Sequence, residues 1–378
     1  MITHGHFGDC RAWTIWGSHN DMPLHGLDRS AVSSVFRLDL IKTDKGKHMK
    51  RAIYTFCWVV LLLFQLNAPG HGQPAAQRVA LQGYLQSWND GIAKDKIVSF
   101  VESTTTSFGK NFVPEELRRA FFDMDGTLVC EKPEYLEVVV SEHRLKEKLA
   151  EDPALGEKSI YKAVSANDRK YLYTHVKEVI LEAFTGDTLE FYLKYCENFI
   201  FNQKHQRFSR PYSELFYAPM LELMDYLKDH GFKVYVVSTS QQEFIRSISK
   251  TLLKLPDDQV IGTMVGFSLA NLDKNEPPVF VRTHDYFSPY NADDAKVIRM
   301  RERGLMPSIF AFGNSMGDYA MLDATADSGL PNLACILDHD DPDREYEYHK
   351  PDLLEIAKRR QWNIVSMKKD FRTVFRSK

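Results

Sequence analysis

The sequence predicts an α/β fold built on a doubly wound parallel sheet, and three observations carry that prediction. Short apolar runs alternate with amphipathic stretches of helical period. Two of those stretches close on a glycine and lead into the next apolar run, and the polar clusters that stand out fall at the downstream ends of such runs. Strands covered by helices on both faces read as continuous hydrophobic runs, and ligands of open α/β sheets gather outside the carboxyl ends of the strands.

The elements follow in order. Residues 1–48 lack sustained periodicity and are expected to be either not native, with the true start at Met49, or disordered. The stretch "MKRAIYTFCWVVLLLFQLNAPGHGQ" sets Lys50 and Arg51 before an apolar core, Ala52 to Leu66, and then Gly70 and Gly72. That is the order of a secretory signal peptide, expected over residues 49–72 with cleavage after Gly70 or Gly72. The core is shorter than the roughly 20 residues of a spanning helix, so an uncleaved anchor is the second choice. The mature chain is then exported, periplasmic or secreted, and makes no stable membrane association after cleavage. Of its cysteines it keeps Cys130, Cys196 and Cys335, which read as buried apolar thiols because no CxxC pair exists.

Residues 73–130 form an N-terminal helical lead-in and the first core strand. "DKIVSFVEST" sets Ile97, Phe100 and Val101 on one helix face, and "RAFFDMDGT" is an apolar strand entering a glycine turn. Residues 131–211 are helical in pattern, with "HVKEVILEAF" a clear amphipathic piece. Residues 212–378 resume the core. "APMLELMDYLKDHGFKVYVVSTS" predicts a helix stopped at Gly231 and a strand from Lys233 to Val237; "VIRMRERGLMPSIFAFGNS" repeats that order to Gly313. "VIGTMVGFSL" and "PPVFVRTHDYF" are expected to pair as a hairpin at the rim, while "NLACILDHD" and "WNIVSM" supply two further short runs.

Composition narrows the partners. With 44% hydrophobic and 26% charged residues the chain is globular, and 48 Lys+Arg against 51 Asp+Glu leave no basic footprint for nucleic acid or anionic lipid. A small molecule is the expected partner. Oligomeric state is not legible.

Three strand ends carry the polar groups: Asp123 and Asp125 after Phe122, Ser238 after Val237, and Asn314 and Asp318 after Phe312. Lys296, in "NADDAKVIRM", opens the helix before the last of these strands. In that order, "DMDGT", a strand-terminal Ser, a helix-opening Lys and "GNSMGDYAML" resemble the haloacid dehalogenase-like hydrolase superfamily, on its phosphoserine-phosphatase-like side. "SWNDGIAKDKIVSFV", "HDDPDREYEY" and "NIVSMKKDF" extend the likeness, over residues 84–378, to an exported bacterial branch. The resemblance implies a Rossmann-like core, a helical cap made by the insert at 131–211, and a phosphatase rather than a dehalogenase, since dehalogenases of this kind lack the second aspartate.

The chemistry fits the residues. A phosphate monoester is a dianion that repels a carboxylate nucleophile, and a Mg²⁺ cofactor bridging both anions removes that obstacle. Asp123 is the expected nucleophile and Asp125 the general acid and base. Gly126 allows the tight turn and Thr127 hydrogen-bonds nearby. Ser238 and Lys296 would hold phosphoryl charge, with Thr239 and Ser240 as competing choices for the former; Glu131 and Lys132 face the organic part of the substrate. Arg207 and Arg210 could do so from the far end of the insert. The resemblance makes Asp123, Asp125 through its carbonyl, Asn314 and Asp318 the metal candidates. Asn314 stands where the family pattern has aspartate, which removes one negative charge and makes Asp318 the stronger candidate; Asp323 is a weaker one. Taken singly, the Asp-Gly pair reads as a turn before a helix and Ser238 as a helix N-cap. The acidic run Asp338, His339, Asp340, Asp341 follows another strand end and reads as solvated loop or crevice lining. A phosphotransferase with the same intermediate and a non-catalytic binding protein are the alternatives.

Overall fold

A computed structural model describes residues 83–271 and 277–376 of the chain. The expected leader at 49–72 and everything before it lie outside the described residues. No helix among the described residues is long and apolar enough to cross a membrane.

The first helix, α1 (Ile92–Thr105), buries Ile97, Phe100 and Val101 and leads to strand β1 (Arg119–Phe122). Five helices follow before the chain returns to the sheet: α2 (Leu136–Glu151), α3 (Ser159–Ala166), α4 (Arg169–Thr174), α5 (Val176–Phe184) and α6 (Leu189–Asn202). Then come α7 (Ala218–Asp229), β2 (Lys233–Gln241), α8 (Gln242–Ile248), β3 (Val260–Thr263), and the antiparallel pair β4 (Val265–Ala270) and β5 (Val279–Tyr286). The chain finishes with α9 (Asp294–Glu302), β6 (Phe310–Gly313), α10 (Tyr319–Ala326), β7 (Leu333–Asp338), α11 (Pro351–Arg360), β8 (Asn363–Ser366) and α12 (Met367–Asp370). Gly231, between α7 and β2, has φ +75°, the left-handed stop that its sequence position predicts.

Six strands form one parallel sheet in the order β3-β2-β1-β6-β7-β8. Their side chains alternate between two buried faces. Ala120, Phe122, Val234, Val236, Phe310 and Phe312 enter one apolar cluster with α1 and the insert, while Phe121, Tyr235, Val237, Ala311 and Ile336 enter a second with α9, α10 and α11. Both faces being dry explains why the strands read as unbroken apolar runs. Phe122 is in register with Val236 on one side and Phe312 on the other, so the ends of β1 and β6 are level with each other beside the polar end of β2, where the sheet order reverses about β1.

Two boundaries differ from expectation. "VIGT" is not half of a rim hairpin: it is β3, an edge strand of the main sheet, and only Val265–Ala270 pairs with β5. Gly262 decides this, because a Cβ there would stand 2.6 Å from the Gln242 backbone, an approach only a glycine permits. Strand β2 also runs four residues past Val237. Its polar end stays extended because Thr263 Oγ1 donates to Thr239 O at 2.6 Å and Asn291 Nδ2 to Ser238 O at 2.7 Å.

Candidate active site

Asp123 leaves β1 with its backbone N–H still bonded to Phe312 O at 3.0 Å. The chain then turns at once, with the N–H groups of Thr127, Leu128 and Val129 all pointing to Met124 O. Gly126 has φ +74°, and a Cβ on it would fall 1.9 Å from Asn314 Nδ2, so both backbone and space demand glycine. No helix begins here, so the two aspartates are not a helix cap; α2 starts only at Leu136.

A buried cation ties two strand ends together. Lys296, 2% exposed in the first turn of α9, donates to Asp123 Oδ1 at 2.7 Å and to Asp318 Oδ1 at 2.6 Å. Burial alone lowers an ammonium's pKa, yet the two carboxylate charges raise that of Lys296 above its ordinary value, so it stays charged. Burial, and after it the charge of Asp318, pushes the Asp123 carboxyl well up, while Lys296 pulls against them.

Asp318, the stronger metal candidate in the sequence, is already engaged at both oxygens. Its Oδ2 accepts from Asn314 N and Ser315 N at 3.0 Å and from Ser315 Oγ at 3.2 Å, closing a capping box. Asn314 is freer: its Oδ1 has only a 3.4 Å contact from Thr127 Oγ1, and its Nδ2 is buried without a partner. The same Thr127 hydroxyl stands 3.5 Å from Asp123 Oδ2.

Asp125 is held by one oxygen. Ser240 Oγ donates to its Oδ2 at 2.8 Å, and Ser238 Oγ lies 3.5 Å from the same atom. Oδ1 is buried with no partner, and burial raises the carboxyl pKa. Ser238 lies inside β2 and caps no helix; its hydroxyl accepts from Ser240 N at 3.1 Å. Thus Ser240, the register-slip alternative, makes the shorter contact. Asn291, fully buried, anchors Ser238 from a loop and was not singled out in the sequence, because an isolated Asn carries no spacing signal.

These groups open on a cavity of about 360 Å³. Asp123, Asp125, Ser238, Thr239, Ser240 and Lys296 line its core side, and Glu131, Tyr135, Glu137, Tyr173 and Lys177 its insert side. Glu131 is buried, with its carboxyl pKa raised by that burial, and lies 3.7 Å from Lys132 Nζ.

Other expected residues lie elsewhere. Asp323 pairs with Arg360 on the surface. Arg207 donates to Pro342 O and Arg210 to Glu214, neither lining the cavity. Asp338 pairs with His349, Asp340 accepts from Ser366 Oγ and Lys368 N, and Asp341 pairs with Arg344. His339 alone of that run reaches the site: Nε2 is 2.7 Å from Gly126 O, and Nδ1 is 3.3 Å from Glu345. Cys130, Cys196 and Cys335 are free and buried. Among the described residues no three His, Cys, Asp or Glu side chains are grouped to hold a metal.

No curated protein matches the chain in sequence. Solved structures similar to it include a protein of unknown function from Bordetella pertussis Tohama I, at 17% identity and TM-score 0.45, covering 66% of this chain and 97% of that one. A functionally unknown protein from Anaerococcus prevotii matches at 13% and 0.46, covering 70% and 88%. A phosphoserine phosphohydrolase-like protein from Francisella tularensis matches at 16% and 0.33, covering 55% and 82%. The family model for haloacid dehalogenase-like hydrolases matches residues 120–323, more than half of the chain and all three strand ends of the site. The chain belongs to the haloacid dehalogenase-like hydrolase family.

Proposed function

We propose that the chain is an exported, Mg²⁺-dependent phosphatase of small phosphomonoesters that works through an aspartyl-phosphate. The observation that carries the reading is the unequal state of two neighbouring carboxyls. Asp123 has one oxygen clamped by an ammonium, while Asp125 is held by a serine hydroxyl and keeps one buried oxygen without a partner in the same cavity.

Asp123 attacks phosphorus, and the bond from phosphorus to the ester oxygen breaks. Asp125, whose protonated form its burial favours, gives its proton to the departing alkoxide. A water then attacks the phosphoryl group, its proton returns to Asp125, and the bond from Asp123 to phosphorus breaks to release phosphate. Lys296 offsets charge on Asp123 throughout, and the Ser238 hydroxyl supplies a donor at the strand end.

The donor set suits a hard cation. Asp123 Oδ2 and Asn314 Oδ1 both flank the Thr127 hydroxyl at distances too long to occupy their lone pairs, and Mg²⁺ takes one or two carboxylates with carbonyls and waters. We assign the metal to Asp123, Asn314 and the Asp125 carbonyl, with Asp318 orienting Lys296 and the turn at Asn314. Bound there, the ion supplies the positive charge that lets two anions meet.

A chromogenic phosphate ester tests the reading. Asp123→Asn is expected to lower kcat at least about 10³-fold with Mg²⁺ present; undiminished turnover excludes the covalent route. Export is tested by N-terminal sequencing of native protein, expected to begin at residue 71 or 73.

A further inference from the structure

We infer that the phosphoester this cavity takes is one of an alcohol that carries a positive charge and no carboxylate: an amino or quaternary-ammonium alcohol. The inference rests on the phosphatase reading above.

The half of the cavity that would hold the leaving group is aromatic and acidic. Tyr135, Tyr173 and Tyr290 line it with Glu131 and Glu137. Glu137, in the first turn of α2, is 4% exposed. Its Oε2 accepts from Gln241 N at 3.0 Å, and its Oε1 is buried with no partner. A buried carboxyl oxygen without a partner is costly, so a lining that keeps one is complete only when a donor arrives. The rings already receive cations: Lys177 Nζ sits 4.0 Å from the Tyr290 centroid and Lys132 Nζ 5.8 Å from that of Tyr135. An ammonium over a tyrosine face is attracted by the ring quadrupole, and a desolvated one most strongly.

Of the positive groups nearby, Lys177 lies over the Tyr290 ring, and the other two are engaged elsewhere. Lys296 is taken by Asp123 and Asp318. Arg282 stands behind Glu137, over the Tyr192 ring at 3.8 Å and donating to Gln241 Oε1, and it lines a separate cleft. Among the described residues no arginine or histidine lines this cavity, so a carboxylate finds no bidentate partner. The lining sets Asp123, Asp125, Glu131 and Glu137 against Lys177 and Lys296. An ammonium on the organic part can donate to the carboxyl oxygens of Glu131 and Glu137 and favours their ionised forms, whereas a substrate carboxylate would press those buried groups further toward protonation.

Two measurements test this. The first compares kcat/KM for 2-aminoethyl phosphate and its trimethylammonium analogue with glycerol 1-phosphate, O-phosphoserine and a nucleoside monophosphate. The cationic esters are expected to lead by at least about tenfold. In Glu137→Gln that lead is expected to shrink about tenfold, mostly through KM, and in Tyr290→Leu by a smaller factor. The second uses calorimetry of wild type with two uncleavable ligands, 2-aminoethylphosphonate and propylphosphonate, the former expected to bind about tenfold tighter. Turnover of the chromogenic ester with no cationic preference, or with the nucleotide or phosphoserine ahead, overturns the inference and leaves the phosphatase reading standing. If nothing is hydrolysed, the phosphatase reading falls and the phosphonate pair alone decides: equal binding overturns the inference, tighter binding of the aminated ligand upholds the cation site.

Discussion

Ser240 and Ser238 differ by two residues on one strand, and the shorter contact to Asp125 belongs to Ser240. A hydroxyl donating to a carboxylate stabilises the charged form and holds its pKa down, against the burial that raises it. Ser240→Ala therefore raises the pKa of Asp125, and because the first step needs Asp125 protonated, the alkaline limb of the kcat/KM profile moves to higher pH. About one pH unit is expected, the worth of a charge-assisted hydrogen bond; a limb that stays in place removes Asp125 from the general-acid role. Lys296 permits a second prediction. Taking it away as Lys296→Met leaves Asp123 and Asp318 facing each other in a dry site, a loss of about 3–5 kcal/mol measured by denaturant unfolding. Without the lysine that pulls it down, the Asp123 carboxyl, already pushed up by burial and by the charge of Asp318, rises further above its unfolded value, so the deficit relative to wild type is expected to narrow as pH falls from 7 toward 5. Asn314 invites the opposite change. Asn314→Asp returns a negative charge beside Asp123 and is expected to tighten Mg²⁺ binding about tenfold by calorimetry; unchanged affinity would take Asn314 out of the metal's coordination.

At the level of elements, the glycine turn after β1 is the part that tolerates least. Gly126 combines a positive φ with Asn314 packed where a side chain would go, and its carbonyl is fixed from the end of β7, two strands away, by His339, itself braced by Glu345. Gly126→Ala is expected to lower stability by about 1–3 kcal/mol and kcat at least about 100-fold, since misplacing the turn moves both aspartates at once; thermal unfolding and the chromogenic assay read the two effects. How much of this was legible in sequence varies with the range of the interaction. Asp123, Asp125 and Gly126 stand in one contiguous motif whose apolar strand and turn are local, and Lys296 was found because its helix precedes a strand of the same pattern. The end of β2 was misjudged because "STSQ" has no apolar periodicity: what keeps it extended is Thr263 and Asn291, both more than 20 residues away. His339 was hidden in an acidic run for the same reason. Asp338 and Asp341 bind partners within about a dozen residues and Asp340 reaches the start of the last helix, while the histidine crosses to Gly126, more than 200 residues upstream.

Across the whole molecule, the insert and the sheet meet at Glu137, and that carboxyl gives folding a pH dependence of definite sign. Burial pushes its pKa up to about 8, with Asp125 adding to the rise and Gln241 N–H, Arg282 and Tyr192 opposing it; Tyr286 and Tyr290 stand in its field. In the unfolded chain the same group titrates near 4.5. The folded state therefore holds a proton that the unfolded chain releases between those values. This contribution to stability is whole below pH 4.5 and is lost as pH rises toward 8, by linkage. Other acidic groups titrate in part of the same window, so the measurement is a difference: unfolding of wild type and Glu137→Gln at pH 5 and at pH 8. Glutamine keeps the shape and the bond to Gln241 N without the charge, so the wild type is expected to lose more stability than the variant between the two pH values. A cation at the free oxygen lowers the pKa of Glu137, and saturating 2-aminoethylphosphonate is expected to recover part of that loss at pH 8 in wild type and less in the variant. Parallel curves for the two proteins would mean that Glu137 ionises freely, which a side chain so enclosed could do only if solvent or Arg282 reached it.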